Sequence, residues 1–295
     1  MPSIGIGIGI ALRTQFLSAG FVNPFDGAAA AYSVRIPGGS TYTGPLIRVR
    51  RSSDNAEQDI NSVGTMDANG NKALDTSALL TFAGAGNAFV VTWYDQSGNG
   101  KNCTQGTAAK QPRIVNAGAL DSFNSISSML FDGINDIFTT TLATTHPFTI
   151  ASVIKSATTV GPASVAGRAA TRASLGILNN PPATNSFLMW SPTLNRGVYK
   201  PNSSSTSPTV LSGFGTSVDE ASWGIAINGN ASGTSVETSG ASIDTGNWSI
   251  GGNGYASEFW NGYLSEIVIF GSVLSSSSRL VIERNQGIYF GITVA

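Results

Sequence analysis

The sequence predicts an all-β fold: a two-sheet β-sandwich of the jelly-roll kind with one or two short helices. Short segments rich in β-branched and aromatic residues recur along the 295-residue chain, as in proteins built from many strands. Turn dipeptides such as Asp26–Gly27, Asn69–Gly70 and Asn228–Gly229 lie between them. No strand–helix–strand rhythm connects the segments, which argues against a parallel α/β sheet. With 41% hydrophobic residues, the chain has enough apolar material for a core.

Residues 1–24 are predicted to form an N-terminal arm, and residues 25–295 a single sandwich domain. The arm alternates isoleucine with glycine, so as a strand it places Ile4, Ile6, Ile8 and Ile10 on one face. A helix is disfavoured, because each glycine costs about 1 kcal/mol relative to alanine. No basic residue precedes the stretch as in a signal peptide. Two interpretations stay open: an ordinary first strand, or an arm that adds a strand to a neighbouring subunit.

Eight later segments are predicted as strands, because each is apolar, β-branched or aromatic and is bounded by turn residues. In the first of them, Ile47 and Val49 alternate with arginines, as expected of a half-buried sheet. The predicted strands are 46–50, 89–94, 128–131, 148–154, 187–190, 223–227, 248–251 and 265–270.

Two segments are predicted as helices from their capping residues. Asp75 or Thr76 can cap the first, which should end at Gly84. Ser275 can cap the second, with Gly287 as its expected end.

Charge and composition exclude several classes of protein. The 16 basic and 17 acidic side chains give a net charge of −1, so the basic field that binds nucleic acid is missing. No apolar run reaches the roughly 18 residues of a membrane helix. Cys103 is the single cysteine and cannot form an internal disulfide. His146 is the single histidine, which argues against a histidine-based metal centre or triad. We expect no nucleic acid, no membrane and no cofactor other than a weakly indicated calcium ion.

Two loops carry carboxylates and amides that could hold calcium. Asp95 and Asn99 lie in the Asp-Gln-Ser-Gly-Asn-Gly run, and Asp132 and Asp136 lie in the Asp-Gly-Ile-Asn-Asp run. Calcium takes about six to eight oxygen ligands, often from such loops. The alternative is structural: Asp95 can accept backbone N–H groups of its own turn, and the second run can be a hairpin turn. Neither loop has the spacing of an EF-hand.

A sugar-binding surface needs an aromatic face with amides or carboxylates beside it. Trp260 flanks a turn and is the best candidate, together with Asn261, Tyr255 and Glu258. Trp93 and Trp223 lie inside apolar strand patterns and are predicted to be core residues. Cys103 is predicted to be a small buried apolar group, and His146 an ordinary loop residue.

Two sets of segments resemble known families. AYSVRIPGGSTYTGPLIRVRRSSDNAEQDI (31–60) and FVVTWYDQSGNGKNCTQ (89–105) resemble the N-terminal half of the arabinofuranosidase B catalytic fold, a concanavalin-type sandwich. MLFDGINDIF (129–138), PFTIASVIKS (147–156) and FWNGYLSEIVIFGSVLSSSSRLVIERNQGIYFG (259–291) are similar to laminin-G-like jelly rolls. Both resemblances imply one concanavalin-like sandwich.

The first resemblance implies two catalytic carboxylates beyond the N-terminal half, where the chain departs from the family. The family's pair of adjacent cysteines is reduced here to Cys103. Neither catalytic carboxylate can be matched, although Glu220, Glu237 and Glu258 are acids in plausible loops.

The sequence is therefore interpreted as a non-enzymatic structural protein of a multi-subunit particle. A bacteriophage virion component (tail, fibre or head decoration) is expected, because its surface is poor in charge, its arm suits strand addition, and such sandwiches resemble those of phage structural proteins. Its partners would be other virion subunits bound through the arm, cell-surface glycans, and further copies in a homo-oligomer. Two alternatives stay open: a free-standing, extracellular carbohydrate-binding module, and an arabinofuranosidase-like glycoside hydrolase.

Overall fold

The computed structural model describes residues 21–144, 146–159, 161, 163–168, 174–180, 183–191, 196–216, 222–231, 233–236, 246–253 and 258–295. The four isoleucines of the predicted arm lie outside these ranges, so the arm and the boundary after residue 24 stay predictions. None of the helices in the described ranges is long and apolar enough to cross a membrane.

The described part of the chain is mostly β-strand. Its strands are β1 (Ala30–Ser33), β2 (Arg35–Ile36), β3 (Ile47–Arg51), β4 (Glu57–Ile60), β5 (Lys72–Ala73), β6 (Ala88–Trp93), β7 (Cys103–Thr104), β8 (Arg113–Asn116), β9 (Ala119–Leu120), β10 (Ser122–Phe123), β11 (Ile126–Ser127), β12 (Met129–Asp132), β13 (Phe138–Thr139), β14 (Phe148–Ser156), β15 (Ala163–Arg168), β16 (Ser174–Asn180), β17 (Ala183–Ser191), β18 (Arg196–Lys200), β19 (Thr209–Gly215), β20 (Trp223–Ile227), β21 (Asn230–Ala231), β22 (Thr234–Val236), β23 (Trp248–Ile250) and β24 (Asn261–Phe270). The α-helices are α1 (Thr76–Ala83) and α2 (Ser276–Phe290), and a 3₁₀ turn covers Ala108–Lys110.

Two antiparallel sheets diverge from β6. Its first half pairs with β8, where Ala88 lies opposite Val115, and its second half pairs with β7, where Trp93 lies opposite Cys103. From β8 one sheet continues through β12, β24, β14, β19 and β20. From β7 the other continues through β13, β23, β15, β16, β17, β18 and β22. The predicted all-β sandwich is confirmed.

Aromatic side chains fill the sandwich. Trp93, Trp248 and Trp260 are each 0% exposed. The ring of Trp93 lies 6.4 Å from that of Phe138, and the ring of Phe148 lies 5.7 Å from that of Trp248. Edge-to-face and tilted contacts at these distances add to the free energy gained from burial alone.

The predicted burial of three side chains is confirmed: Trp93, Trp223 and Cys103 all belong to the core. His146 is predicted to be an ordinary loop residue, and the structure shows that its ring also packs against two aromatic side chains. Its ring stacks on that of Trp223 at 5.5 Å and lies 4.8 Å from that of Phe148. It therefore packs at the margin of the aromatic core.

Every predicted strand segment overlaps an observed strand, and the ends of most differ by one or more residues. The first prediction, 46–50, is β3 at Ile47–Arg51, and the prediction 223–227 is β20 without change. The largest extensions are at the prediction 187–190, where β17 begins at Ala183, and at 265–270, where β24 begins at Asn261. The extra residues of β24 pair with β12, a contact between distant segments that local composition does not encode.

The first helix has the predicted ends, and the second does not. Asp75 caps α1 by accepting the N–H of Ala78, and Gly84 ends the helix. Ser275 caps α2 as predicted, but Gly287 lies inside that helix, which ends at Gly291 in the left-handed conformation. The predicted end at Gly287 is wrong because the chain after the helix folds back onto this position. A Cβ atom on Gly287 would lie 2.6 Å from the carbonyl oxygen of Ile292.

Candidate functional site

The turn between β12 and β13 holds two carboxylates side by side. The Asp132 Oδ1 accepts the N–H groups of Ile134 at 2.8 Å and Asn135 at 3.1 Å. The Asp136 Oδ2 in turn accepts the N–H of Asp132 at 2.9 Å. Gly133 makes the tight turn possible, because its φ of +73° is one that other residues rarely adopt. The backbone therefore fixes both acids in one place.

These carboxylates line a cavity of about 240 Å³, small for a ligand site by the usual range of roughly 300–1,000 Å³. Its walls combine an aromatic ring, an aliphatic side chain, an amide and a guanidinium. The lining residues are Phe89, Ala108, Ala109, Gln111, Arg113, Leu130, Asp132 and Asp136. Neutral and charged hydrogen-bonding groups thus meet an apolar wall here, as in many small-molecule sites.

Burial changes the acidity of Asp136. Its side chain is largely withdrawn from water, and this desolvation, reinforced by the negative charge of Asp132, raises the pKa of Asp136 to about 7. Arg113 opposes the shift only weakly, because its Nε donates to Asp121 at 2.7 Å. A carboxyl group with this pKa can hold a proton near neutral pH and release it to a ligand.

The C-terminal half of the chain completes this edge of the sandwich. Asn261 of β24 lies opposite Asp132 of β12, and a Cβ atom on Gly133 would lie 2.7 Å from the Asn261 Cβ. A Cβ atom on Gly251 would lie 3.1 Å from the Asp136 carbonyl oxygen. Asp132 and Asp136, two of the predicted metal-site residues, therefore lie beside part of the predicted sugar-binding segment. We call the region of Asp132, Asp136, Gly251 and Asn261 the carboxylate edge.

The described members of the predicted sugar-binding set differ in burial. The Trp260 ring is 0% exposed and its Nε1 donates to the Tyr263 carbonyl at 3.3 Å, so it presents no face to solvent. Glu258 is partly exposed, and its Oε2 accepts a hydrogen bond from the buried Asn253 Nδ2. Tyr255 lies outside the described residues. Of this set, Glu258 and Asn261 are partly exposed.

The other predicted calcium loop acts as a clamp between segments. Asp95 Oδ1 accepts the N–H groups of Ala31 and Ser97, and its Oδ2 accepts that of Lys101, all at 2.9 Å. The Asn99 Nδ2 donates to the Ala28 carbonyl at 3.0 Å. These contacts are the structural alternative weighed for Asp95. In the described ranges, no group of three or more His, Cys, Asp or Glu is arranged to hold a metal, and the calcium ion stays a prediction.

Sequence reasoning found the acids of this edge but missed their surroundings. Three of the cavity walls come from separate places: Phe89 from β6, Gln111 from the turn before β8, and Arg113 from β8. Nothing local in the sequence indicates that they lie near Asp136. Asn253 was missed as well, although it lies two residues after a predicted strand. The one available signal was that the predicted strands 128–131 and 265–270 each lie near an Asp–Gly or Asn–Gly dipeptide, which is compatible with pairing.

Comparison with known protein families gives a match to part of the chain. Residues 26–157 match the family model for the catalytic domain of α-L-arabinofuranosidase B. No curated protein matches the chain.

Solved arabinofuranosidases share the fold. One in complex with arabinofuranosyl-α-1,2-xylobiose is similar over 90% of this chain and 64% of its own, with a TM-score of 0.68 and 19% identity. A GH54 α-L-arabinofuranosidase soaked with a cyclic sulfate inhibitor is similar over 88% of this chain and 62% of its own, with a TM-score of 0.61 and 17% identity. The chain thus spans less than two thirds of the length of these relatives.

These comparisons correct the function expected from sequence. The prediction of a non-enzymatic bacteriophage virion protein is wrong, because the matched model describes a catalytic domain and the similar structures are glycoside hydrolases. The motifs at 31–60 and 89–105 lie within the matched residues and indicate the function better than the missing cysteine pair and the unmatched carboxylates. The chain has the β-sandwich fold of these arabinofuranosidases, and its residues 26–157 match the arabinofuranosidase B catalytic model.

Proposed function

We propose that this chain is a glycoside hydrolase domain that cleaves α-L-arabinofuranosyl linkages. The match of residues 26–157 to the arabinofuranosidase B catalytic model carries the proposal. The shared fold over 90% of the chain supports it, and so does the meeting of acids and amides at the carboxylate edge. The substrate class is taken from the arabinofuranosides bound to the similar structures.

In this proposal Asp136 is the general acid. Glycoside hydrolysis breaks the bond between the anomeric carbon and the leaving-group oxygen through an oxocarbenium-like transition state. The proton of Asp136, held by a carboxyl group with a pKa of about 7, moves to the leaving-group oxygen as that bond breaks. A second carboxylate on the other side of the sugar completes the reaction: it either bonds the anomeric carbon until water displaces it, or removes a proton from the water that attacks this carbon.

Glu258 is the proposed second carboxylate. It lies beyond the N-terminal half, where the family resemblance implies both catalytic acids, and Asn253 fixes one of its oxygens. Asp136 lies before that region and is proposed instead from its place in the cavity and its raised pKa. Asp132 is less suited, because its Oδ1 already accepts backbone N–H groups. A pair of carboxyl groups about 5–5.5 Å apart gives retention of configuration, and about 6.5–9.5 Å gives inversion.

The concanavalin-like and laminin-G-like character of the sandwich belongs to the same proposal. Support comes from the antiparallel order of β14 between β24 and β19 and from α2 following β24 directly. Homo-oligomer formation through the arm, glycan partners and an extracellular location stay predictions.

The test is release of nitrophenol from 4-nitrophenyl α-L-arabinofuranoside, set beside release of arabinose from an arabinoxylo-oligosaccharide. Asp136→Asn should lower kcat on the oligosaccharide by about 10²–10⁴-fold, because proton transfer to a poor leaving group is lost. The loss on the nitrophenyl glycoside should be smaller, since nitrophenolate leaves without a proton. Glu258→Gln should lower kcat on both substrates.

Asp54→Asn is the matched control, because Asp54 is an exposed acid paired with Arg51 and should leave both rates unchanged. A wild-type chain with no activity on either substrate would overturn the proposed hydrolase. An active chain whose Asp136→Asn and Glu258→Gln variants keep wild-type rates would keep the function and overturn the site.

A further inference from the structure

A second cavity lies on a part of the molecule that the carboxylate edge does not use. It has a volume of about 350 Å³, within the usual range for small-molecule sites. We call it the Tyr42 cavity. It is lined by three short segments that are distant in sequence: residues 23 and 25–27, residues 40–44, and residues 96–98.

The rim of the Tyr42 cavity is rich in uncharged hydrogen-bonding groups. Ser40, Thr41 and Thr43 supply hydroxyl groups, and both threonines are exposed. The Asn23 Nδ2 donates to the exposed Asp26 carboxylate at 2.7 Å, which holds an amide and an acid together at the opening. Such groups match the alternating donors and acceptors of sugar hydroxyls.

Tyr42 supplies the aromatic wall. Its ring is half-buried, and its hydroxyl donates to the Pro45 carbonyl at 2.7 Å, which fixes the ring position. Gly44 is required beside it, because a Cβ atom there would lie 2.5 Å from the Tyr42 hydroxyl oxygen. An immobilised ring among hydroxyl groups is suited to the apolar face of a sugar.

Gln96 forms part of the inner wall and brings an unused acceptor. Its Nε2 donates to the Ser33 carbonyl at 2.8 Å, while its buried Oε1 has no hydrogen-bond partner in the described part of the chain. A buried polar atom without a partner destabilises the folded state, so such atoms mark places where a ligand or ordered water can bind.

We infer that the Tyr42 cavity is a carbohydrate-binding subsite, separate from the carboxylate edge, that takes one neutral sugar residue. The described lining residues include no Lys or Arg, so an anionic ligand such as a phosphate is not favoured. The polar rim does not suit an apolar ligand. We expect this sugar to be a pentose, arabinose. That part of the inference rests on the proposed function, since a similar enzyme binds an arabinofuranosyl oligosaccharide.

The test uses the Asp136→Asn variant, so that binding is measured without turnover. Titration with L-arabinose and with arabinoxylo-oligosaccharide, followed by NMR amide shifts, should give saturable shifts in residues 23–27, 40–44 and 96–98. Thr43→Trp and Thr41→Trp each place a bulky ring in the opening and should weaken binding by at least about tenfold, a tenfold change being about 1.4 kcal/mol. Both sites are exposed, so each variant should keep the wild-type Tm.

Thr81→Trp is the matched control, because Thr81 is an exposed threonine that lines a different polar cavity beside α1; it should bind as the parent does. Absence of shifts in the three segments with every sugar, or saturable binding that survives Thr43→Trp and Thr41→Trp, would overturn the inference. Because no catalysis is measured, failure of this subsite and failure of the proposed hydrolase are separate results.

Discussion

Asp136 lies in the sandwich with its carboxyl group almost withdrawn from water, beside the carboxylate of Asp132. Burial is the main cause that favours the neutral form, and the negative charge of Asp132 adds to it. The hydrogen bond from the Asp132 N–H and the charge of Arg113 favour the ionised form without outweighing these two causes. Arg113 also donates two hydrogen bonds to Asp121. The residue was visible in the sequence as part of an Asp-Gly-Ile-Asn-Asp run. Its acidity was not, because burial depends on the cavity walls supplied by β6 and β8.

This acidity predicts a pH dependence of stability. The pKa of Asp136 is about 7 in the folded protein and near 3.8 when unfolded, so the folded state holds the extra proton between these values. The free energy of unfolding should therefore fall with rising pH in this window, by up to about 1.4 kcal/mol per pH unit from this group. Urea unfolding of Asp136→Asn between pH 4 and 8 should show a shallower decline than the parent.

Glu283, whose pKa burial also raises, contributes in the same direction, so some decline should remain in Asp136→Asn. The control is Asp54→Asn, since the Arg51 guanidinium lowers the pKa of Asp54 to about 2. That variant should keep the steep decline. Parallel curves for the parent and Asp136→Asn would contradict the assigned burial of Asp136.

At the scale of the element, helix α2 separates what local sequence can predict from what it cannot. Ser275 precedes a run that contains Leu280 and Ile282, and its side chain accepts the Ser278 N–H as the pattern implies. The Gly291 and Ile292 N–H groups both donate to the Gly287 carbonyl, the second at 2.8 Å, which is the local cap of a helix that ends at a left-handed glycine. Gly291 is therefore a local signal for the true end. The contact of Gly287 with Val294 has no such signal, because it depends on how the chain after the helix packs.

Gly287→Ala should therefore destabilise the protein although alanine favours helix by about 1 kcal/mol. The new methyl group would lie 2.6 Å from the Ile292 carbonyl oxygen and from the Val294 Cγ2, and overpacking of this kind costs about 1–3 kcal/mol. Ile288→Ala is the control in the same helix turn, because Ile288 is 67% exposed. Chemical unfolding should give a lower midpoint for Gly287→Ala alone; equal midpoints for the two variants would show that the chain end can move aside.

At the scale of the whole molecule, the sequence predicted strand positions well and strand partners hardly at all. The segments that form β12 and β24 could each be recognised from their own residues, but their pairing joins Met129 to Leu264. The carboxylate edge depends on that pairing, which brings Asp132 beside Asn261. Local sequence therefore suggests a metal site for Asp136 and a sugar site for Glu258, and it does not indicate that β12 and β24 are neighbours.

Strand β6 belongs to both sheets, so the thermal unfolding of one sheet should be coupled to that of the other. Because β6 bonds to β8 with one half and to β7 with the other, separating either sheet breaks hydrogen bonds on which the other depends. Heating should therefore give one calorimetric transition, with equal van't Hoff and calorimetric enthalpies. Two resolved heat-absorption peaks would mean that the two sheets unfold independently although they share β6. A single peak would mean that the sandwich unfolds as one cooperative unit. Substitutions at the carboxylate edge and at the Tyr42 cavity would then change the same free energy of unfolding.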